Sequence, residues 1–197
     1  IKKLDPYLSK TNFYERLIRV DHKFYHHTLR ENVKYEKAPS FKKYHTLCTD
    51  NHGFKYKCGF ERDKNFEIAF LGDSFVEGVA LDYENTFVGI FENYKKTSVA
   101  NLGVTSYAPN IYLSKVKHLI ENNYTFKHMI VFIDISDMYD DNIFYKLNEN
   151  FSISERNAKE KNLKRRNHGC LRLIGVILSG LSGKIGGMAS AVSRMPP

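Results

Sequence analysis

The sequence predicts an α/β domain built on a parallel sheet, and three observations carry that prediction. Short apolar runs alternate with stretches of helical spacing between residues 66 and 147. Each apolar run ends in a turn led by glycine or aspartate. The stretches between the runs are long enough to serve as crossover helices, which parallel neighbours require.

Taken in order, Thr11 to Arg30 carries Phe13, Leu17, Val20, Phe24 and His27 at intervals of three or four, which predicts an N-terminal helix. Residues 31–65 are polar and aromatic-rich without a sustained period, and read as an irregular lead-in. Phe66 to Leu71 predicts the first strand, stopping at Gly72-Asp73-Ser74. Thr86 to Lys95 places Phe87, Ile90, Phe91 and Tyr94 on one helical face. Thr97 to Leu102 predicts a second strand, followed by Gly103. Tyr107-Ala108-Pro109 then leads into a helix over Asn110 to Asn122, with the proline in its first turn. His128 to Ile133 predicts a third strand, apolar through its centre as expected where both sheet faces are covered. Asp140 to Leu147 predicts the start of another helix.

Composition bounds the class. With 197 residues, 42% hydrophobic and 26% charged, the chain fits one domain with arms rather than a disordered polymer. No apolar run reaches the ~18 residues of a transmembrane helix. The chain starts at Ile1 with no signal-peptide pattern, so any targeting segment is expected to be removed or to lie outside it. Three cysteines without paired spacing exclude a disulfide knot and a zinc finger.

The net charge of +8 is concentrated in the tail. Residues 151–197 hold nine Lys/Arg against two Asp/Glu, which leaves 21 against 20 for residues 1–150. A nearly neutral body argues against a nucleic-acid partner for the whole chain. All 14 Phe and 13 Tyr fall at or before Phe151, so composition changes there. The resulting division is a helix and lead-in over 1–60, an α/β core over 61–150, and a basic, aromatic-free tail over 151–197. In that tail, Lys159 to Arg172 is basic and Leu171 to Leu181 is apolar. Two readings follow: a segment that meets an acidic membrane surface weakly, or an ordinary or truncated end.

Parallel strands bring their carboxyl ends to one edge, where sites gather. Three groups meet there: Gly72-Asp73-Ser74-Phe75, Gly103-Val104-Thr105, and Asp134-Ile135-Ser136-Asp137. A serine on a glycine-led turn is accessible, and glycine amides with a small polar side chain can donate to one oxygen. Acyl transfer needs that pair of features, a nucleophile and preorganised oxyanion donors. Asp73 also has the simpler reading of a helix cap.

These blocks resemble the SGNH (GDSL-type) hydrolase superfamily. The first is Phe70-Leu71-Gly72-Asp73-Ser74-Phe75-Val76-Glu77-Gly78 and the second Val99-Ala100-Asn101-Leu102-Gly103-Val104-Thr105-Ser106-Tyr107. The lead-in Asn51-His52-Gly53-Phe54 is similar to the approach in many bacterial members. The resemblance spans roughly Thr49 to Asp141 and implies a three-layer α/β/α sandwich. It implies Ser74 as nucleophile, the amides of Ser74 and Gly103 as oxyanion donors, and Ser136 where the family has asparagine. Asp73 and Asp137 are the supporting acids, and no metal or organic cofactor is implied.

The resemblance breaks at the last block. No Asp is followed three residues later by His, so the general base is unassigned. His168 is the only histidine beyond Asp141, and it lies in a basic stretch where a solvated side chain is the ordinary reading. His118 and His128 fall in a helix and a strand, where packing or surface roles are expected. Cys48 and Cys58 have two open readings, a pair in an oxidising compartment or two unrelated thiols.

The function expected from the resemblance is ester hydrolysis or O-acyl (O-acetyl) transfer on a carbohydrate or small ester, weak in this chain for want of a base. The rival expectations are a catalytically degenerate SGNH-like domain that binds glycan or a partner protein, and a flavodoxin-like phosphate binder. The latter lacks a glycine-rich cradle in its first loop. The resemblance, through this kind of lead-in, implies an extracytoplasmic bacterial setting, periplasmic or membrane-tethered.

Overall fold

Residues 18–40 and 43–164 are described in the computed structural model. Two antiparallel hairpins come first. β1 (Arg19–His22) pairs with β2 (His26–Leu29), and β3 (Lys34–Ser40) pairs with β4 (Lys43–Cys48). The parallel sheet follows, with β5 (Asn65–Leu71) at its centre, β6 (Val99–Asn101) on one side and β7 (Thr125–Val131) on the other.

The helices are α1 (Ser74–Glu77), α2 (Phe87–Lys95), α3 (Pro109–Glu121) and α4 (Ile135–Ile143), with a 3₁₀ turn at Tyr83–Asn85. A small hairpin of β8 (Tyr145–Leu147) and β9 (Ile153–Glu155) closes this unit. The fold is therefore mixed α/β, with a three-stranded parallel sheet flanked by helices.

Side-chain alternation along the strands assigns the cores. Ala69 and Leu71 of β5 join Ala100, Leu102 and the α3 residues Ile111 and Leu119 in one cluster. Ile68 and Phe70 join Val99, Val76 and the α2 residues Val88 and Phe91 in another. Successive residues of a strand point to opposite faces. Thr86 caps α2 by accepting the Gly89 amide at 3.0 Å, and Pro109 opens α3 where its missing N–H costs nothing.

Four expectations need correction. The helix expected over 11–30 does not form across its described part; residues 19–29 are a hairpin, closed by Arg30 N donating to Ile18 O at 2.7 Å. Val20, Phe24 and His27 do share the spacing of a helical face, but in the hairpin Val20 pairs with Thr28 and His27 with Asp21, so Val20 and His27 point to opposite faces. The lead-in of 31–65 is also more regular than its composition suggests, since it holds β3 and β4.

The third correction concerns the third strand. It runs over Thr125–Val131 at one edge of the sheet, and its residues are all half-buried or exposed, so it is not covered on both faces. Ile130, Val131, Phe132 and Ile133 are 39–58% exposed. In place of a helix over 140–147, α4 starts at Ile135 and β8 follows it.

The chain divides after Glu155, four residues beyond the composition change at Phe151. Of the second unit, 156–197, residues 158–164 form a helix. Asn157 and Glu160 cap it reciprocally: Glu160 N donates to Asn157 Oδ1 at 3.0 Å and Asn157 N to Glu160 Oε2 at 2.8 Å. Arg165 onward, including His168 and the apolar stretch 171–181, lies outside the described residues. Among the described residues no helix is long and apolar enough to cross a membrane.

Candidate active site

Ser74 stands three residues past the carboxyl end of β5 as the first residue of α1. Asp73 is the cap: its Oδ1 accepts the Phe75 amide at 2.9 Å, and its Oδ2 accepts the Ser74 hydroxyl at 3.3 Å. The N–H of Ser74, at the first turn of a helix, has no intrahelical acceptor. Gly78 ends α1 in a left-handed conformation, φ 66°, which glycine adopts without the Cβ clash.

Gly103 belongs to the loop after β6 and lies directly under α1. A Cβ there would stand 2.5 Å from Glu77 N and 2.7 Å from Val76 C, both backbone atoms, so only glycine allows the approach. Its amide donates to Asn101 Oδ1 at 3.1 Å, while Asn101 Nδ2 donates to Val76 O at 3.0 Å. Buried Asn101 therefore braces the Ser74 turn against the second loop. The Gly103 amide is engaged, so an acyl oxygen would have to compete with Asn101 for it.

Glu77 makes the strongest link between these loops. Its carboxylate is buried, accepts the amide and hydroxyl of Thr105 at 2.6 and 2.8 Å, and pairs with Arg19 through both oxygens. Lys55, from the lead-in, closes the other end of α1. Its ammonium donates to Gly78 O and Leu81 O at 2.5 and 2.6 Å, a favourable place for a cation at the end of a helix. Burial lowers the Lys55 pKa to about 8.

Ser136 sits on the same edge, in the first turn of α4 after β7. The backbone leading to it stays beside the end of β5, since Phe132 N donates to Leu71 O at 2.8 Å. The Ser136 hydroxyl and amide, however, both donate to Asp134, the cap of its own helix. These bonds hold the Asp134 carboxyl below its ordinary range. Asp137 completes the capping box by accepting the Asp134 amide at 3.0 Å, and it also accepts the Tyr112 hydroxyl at 2.7 Å. Burial raises the Asp137 pKa, and the neighbouring Asp73 and Asp134 charges raise it further.

Asp140 is also raised, by burial first and then by the charges of Asp137, Asp134 and Asp73. Four carboxyls thus share the edge where Ser74 lies. That field opposes a serine alkoxide and favours any cation formed beside it, such as an imidazolium. Among the described residues no histidine hydrogen-bonds the Ser74 hydroxyl, whose one partner is Asp73. His168 lies outside the described residues. His118 packs against His22, Phe24 and Tyr25, and His128 is exposed on β7.

No family model and no curated protein matches the chain. The site therefore rests on its own geometry.

Sequence reasoning missed several residues that hold the site. Glu77 and Asn101 stand inside the two quoted blocks, and a charge or amide amid buried apolar neighbours was the available signal. His27 donates through Nε2 to Thr105 O at 2.9 Å, and burial lowers its pKa to about 4, so it is neutral at pH 7. Lys115 is fully buried behind the second loop, donating to Leu102 O at 3.0 Å and Tyr107 Oη at 3.3 Å, with its pKa lowered by burial to about 7. Cys48 and Cys58 form a disulfide, which resolves the two readings in favour of the pair. Among the described residues no cluster of His, Cys, Asp or Glu has the arrangement to hold a metal ion.

Proposed function

We propose that this chain is an SGNH-type serine esterase or O-acyltransferase domain with a three-layer α/β/α architecture, acting on an acylated carbohydrate or small ester. The observation that carries the reading is the bracing of Ser74. Asp73 caps its turn, Gly103 packs under it without a side chain, and Asn101 and Glu77 tie the two loops together. Ser74 would attack the acyl carbonyl, and the amides of Ser74 and Gly103 would hold the oxyanion once Asn101 yields the latter. Ser136 would be a third donor only after leaving Asp134.

The acidic edge supports a neutral acyl substrate over an anionic one. The proton from Ser74 needs an acceptor, and Asp73 is the one group in reach among the described residues. A carboxylate is a weak base for a hydroxyl, so turnover by this chain is proposed to be slow. The Cys48–Cys58 bond supports an oxidising, extracytoplasmic setting.

A second reading, a degenerate SGNH-like domain that binds glycan or a partner without chemistry, is favoured by the engaged Gly103 amide and the self-capped Ser136. Intact-mass measurement after treatment with a fluorophosphonate separates the two. Covalent modification of the parent that is lost in Ser74→Ala supports the enzyme. An unmodified parent, with the same chain folded by circular dichroism, supports the binding domain.

A further inference from the structure

A cavity of about 530 Å³ lies away from the Ser74 edge. It lies between the β1–β2 hairpin, the turn after it, and the last turn of α3. Lys64 and Tyr124, the residues just before β5 and β7, form its floor, which puts it at the amino-terminal edge of the sheet. The seven residues of β5 at ~3.3 Å each place it about 20 Å from Ser74. Nothing in the acyl-transfer reading uses it.

Its walls combine ring faces with mixed polar groups. The His22 ring stacks on Tyr25 with centroids 3.5 Å apart, and His118 meets His22 edge-on at 4.9 Å. His22 Nδ1 accepts the amides of Phe24 and Tyr25 at 3.3 Å each. The imidazole proton is therefore on Nε2, a donor without a protein partner among the described residues. On the opposite wall, His52 Nε2 donates to Arg62 O and Asp63 O at 2.9 and 3.0 Å, so its Nδ1 accepts the Tyr124 hydroxyl proton at 2.9 Å. The lone pairs of the Tyr124 oxygen remain as acceptors. Arg30, Glu31 and Asn32, all exposed, stand on the rim.

We propose that this cavity is a saccharide-binding site. Its volume lies in the range of small-molecule pockets. Donors and acceptors are interleaved, as a ligand whose every hydroxyl is both requires. The aromatic side chains in the lining, His22, Tyr25, His118 and Tyr124, supply surface for the apolar side of a sugar ring. An anion is a poorer fit, because Glu31 opposes Arg30 on the rim and the Lys64 ammonium is held by Asn122 O at 3.1 Å. A metal is a poorer fit as well, because among the described residues no three His, Cys, Asp or Glu side chains come together as ligands.

The test is a titration of the full chain, followed through its histidine and tyrosine ring resonances. The probes are the methyl glycosides of glucose, galactose, mannose and N-acetylglucosamine, each taken to tens of millimolar. At least one is expected to shift the His22, His118 and Tyr124 resonances saturably. Binding is expected to weaken by about tenfold or more in Arg30→Ala and in Glu31→Ala, both exposed positions that leave the fold intact, and to be unchanged in Ser74→Ala. No saturable shift with any of the four probes would overturn the proposal, as would shifts that ignore both rim substitutions.

Discussion

Arg19 of the first strand and Glu77 of the helix that starts at Ser74, 58 residues apart in the chain, pair through Arg19 Nη2 at 3.1 Å from each carboxylate oxygen. The same carboxylate holds Thr105 in the second loop. One buried residue therefore fastens three segments: the N-terminal hairpin, the turn that carries Ser74, and the loop that carries Gly103. Glu77→Ala would take the carboxylate away from a mostly buried guanidinium and leave two Thr105 donors without their acceptor. A loss of about 3 kcal/mol or more is expected, read from the urea midpoint at constant slope. Arg19→Met in the Glu77→Ala background should recover part of it; a double variant no better than Glu77→Ala would contradict the pairing.

His27 sets an acid limit on stability. In the folded chain it stays neutral down to about pH 4, while the unfolded chain takes up its proton near 6.5. Between those values the unfolded state binds more protons, so stability falls as pH falls from 6.5 to 4 and levels off below. The loss for this one residue is on the order of 3 kcal/mol. His22, also lowered to about 4, acts in the same direction. His27→Gln, which keeps a donor for Thr105 O, should flatten this limb in a pH series of thermal melts. An unchanged limb would remove His27 as its cause.

Lys115 acts with the opposite window. Its folded pKa of about 7 lies below the ordinary 10.5, so between these the unfolded state again binds the extra proton. Stability is therefore expected to rise from pH 7 toward 10, with Lys55 contributing from about pH 8. Above 10 the buried tyrosines reverse the trend, since burial holds Tyr25 and Tyr145 protonated to about 12 in the folded chain and they ionise earlier unfolded. Lys115→Met should reduce the rise between 7 and 10. A Lys115→Met curve that climbs as steeply as the parent's would contradict the assignment.

The Cys48–Cys58 bond closes a short loop around the Asp50 turn, where Asp50 Oδ1 accepts the amides of His52 and Phe54 at 2.9 Å each. Loop-closure entropy for so short a loop gives an upper figure of about 3 kcal/mol. Reduction should lower the melting temperature, and Cys48→Ser with Cys58→Ser should reproduce the reduced value without further response to dithiothreitol. Equal melting of oxidised and reduced parent would contradict the contribution.

Legibility from sequence followed the range of the interactions. Residues 66–71, 87–95 and 110–121 were readable because their side-chain periods match local geometry, and the caps at Asp73 and Thr86 and the helix-opening Pro109 are local chemistry. The hairpin over 19–29 was not readable, since Val20, Phe24 and His27 also satisfy a helical period. What selects the hairpin is contact with distant residues: Arg19 with Glu77, and the Tyr107 hydroxyl donating to His27 O at 2.7 Å across 80 positions. The same holds at the site. Ser74, Gly103 and Ser136 were legible as strand-end motifs, whereas the roles of Glu77, Asn101 and Lys115 exist only once β5 and β6 lie side by side.

The most direct test of the acyl-transfer reading compares the parent chain with Ser74→Ala in turnover of an aryl acetate and an acetylated sugar. A slow turnover by the parent, lost on Ser74→Ala, is expected, because the oxyanion donors remain while a missing imidazole removes a contribution of about 10²–10⁴-fold. Robust turnover that depends on Ser74 would reveal a base outside the described residues, with His168→Ala as the next variant. Equal rates from the parent and Ser74→Ala would contradict Ser74 as the nucleophile.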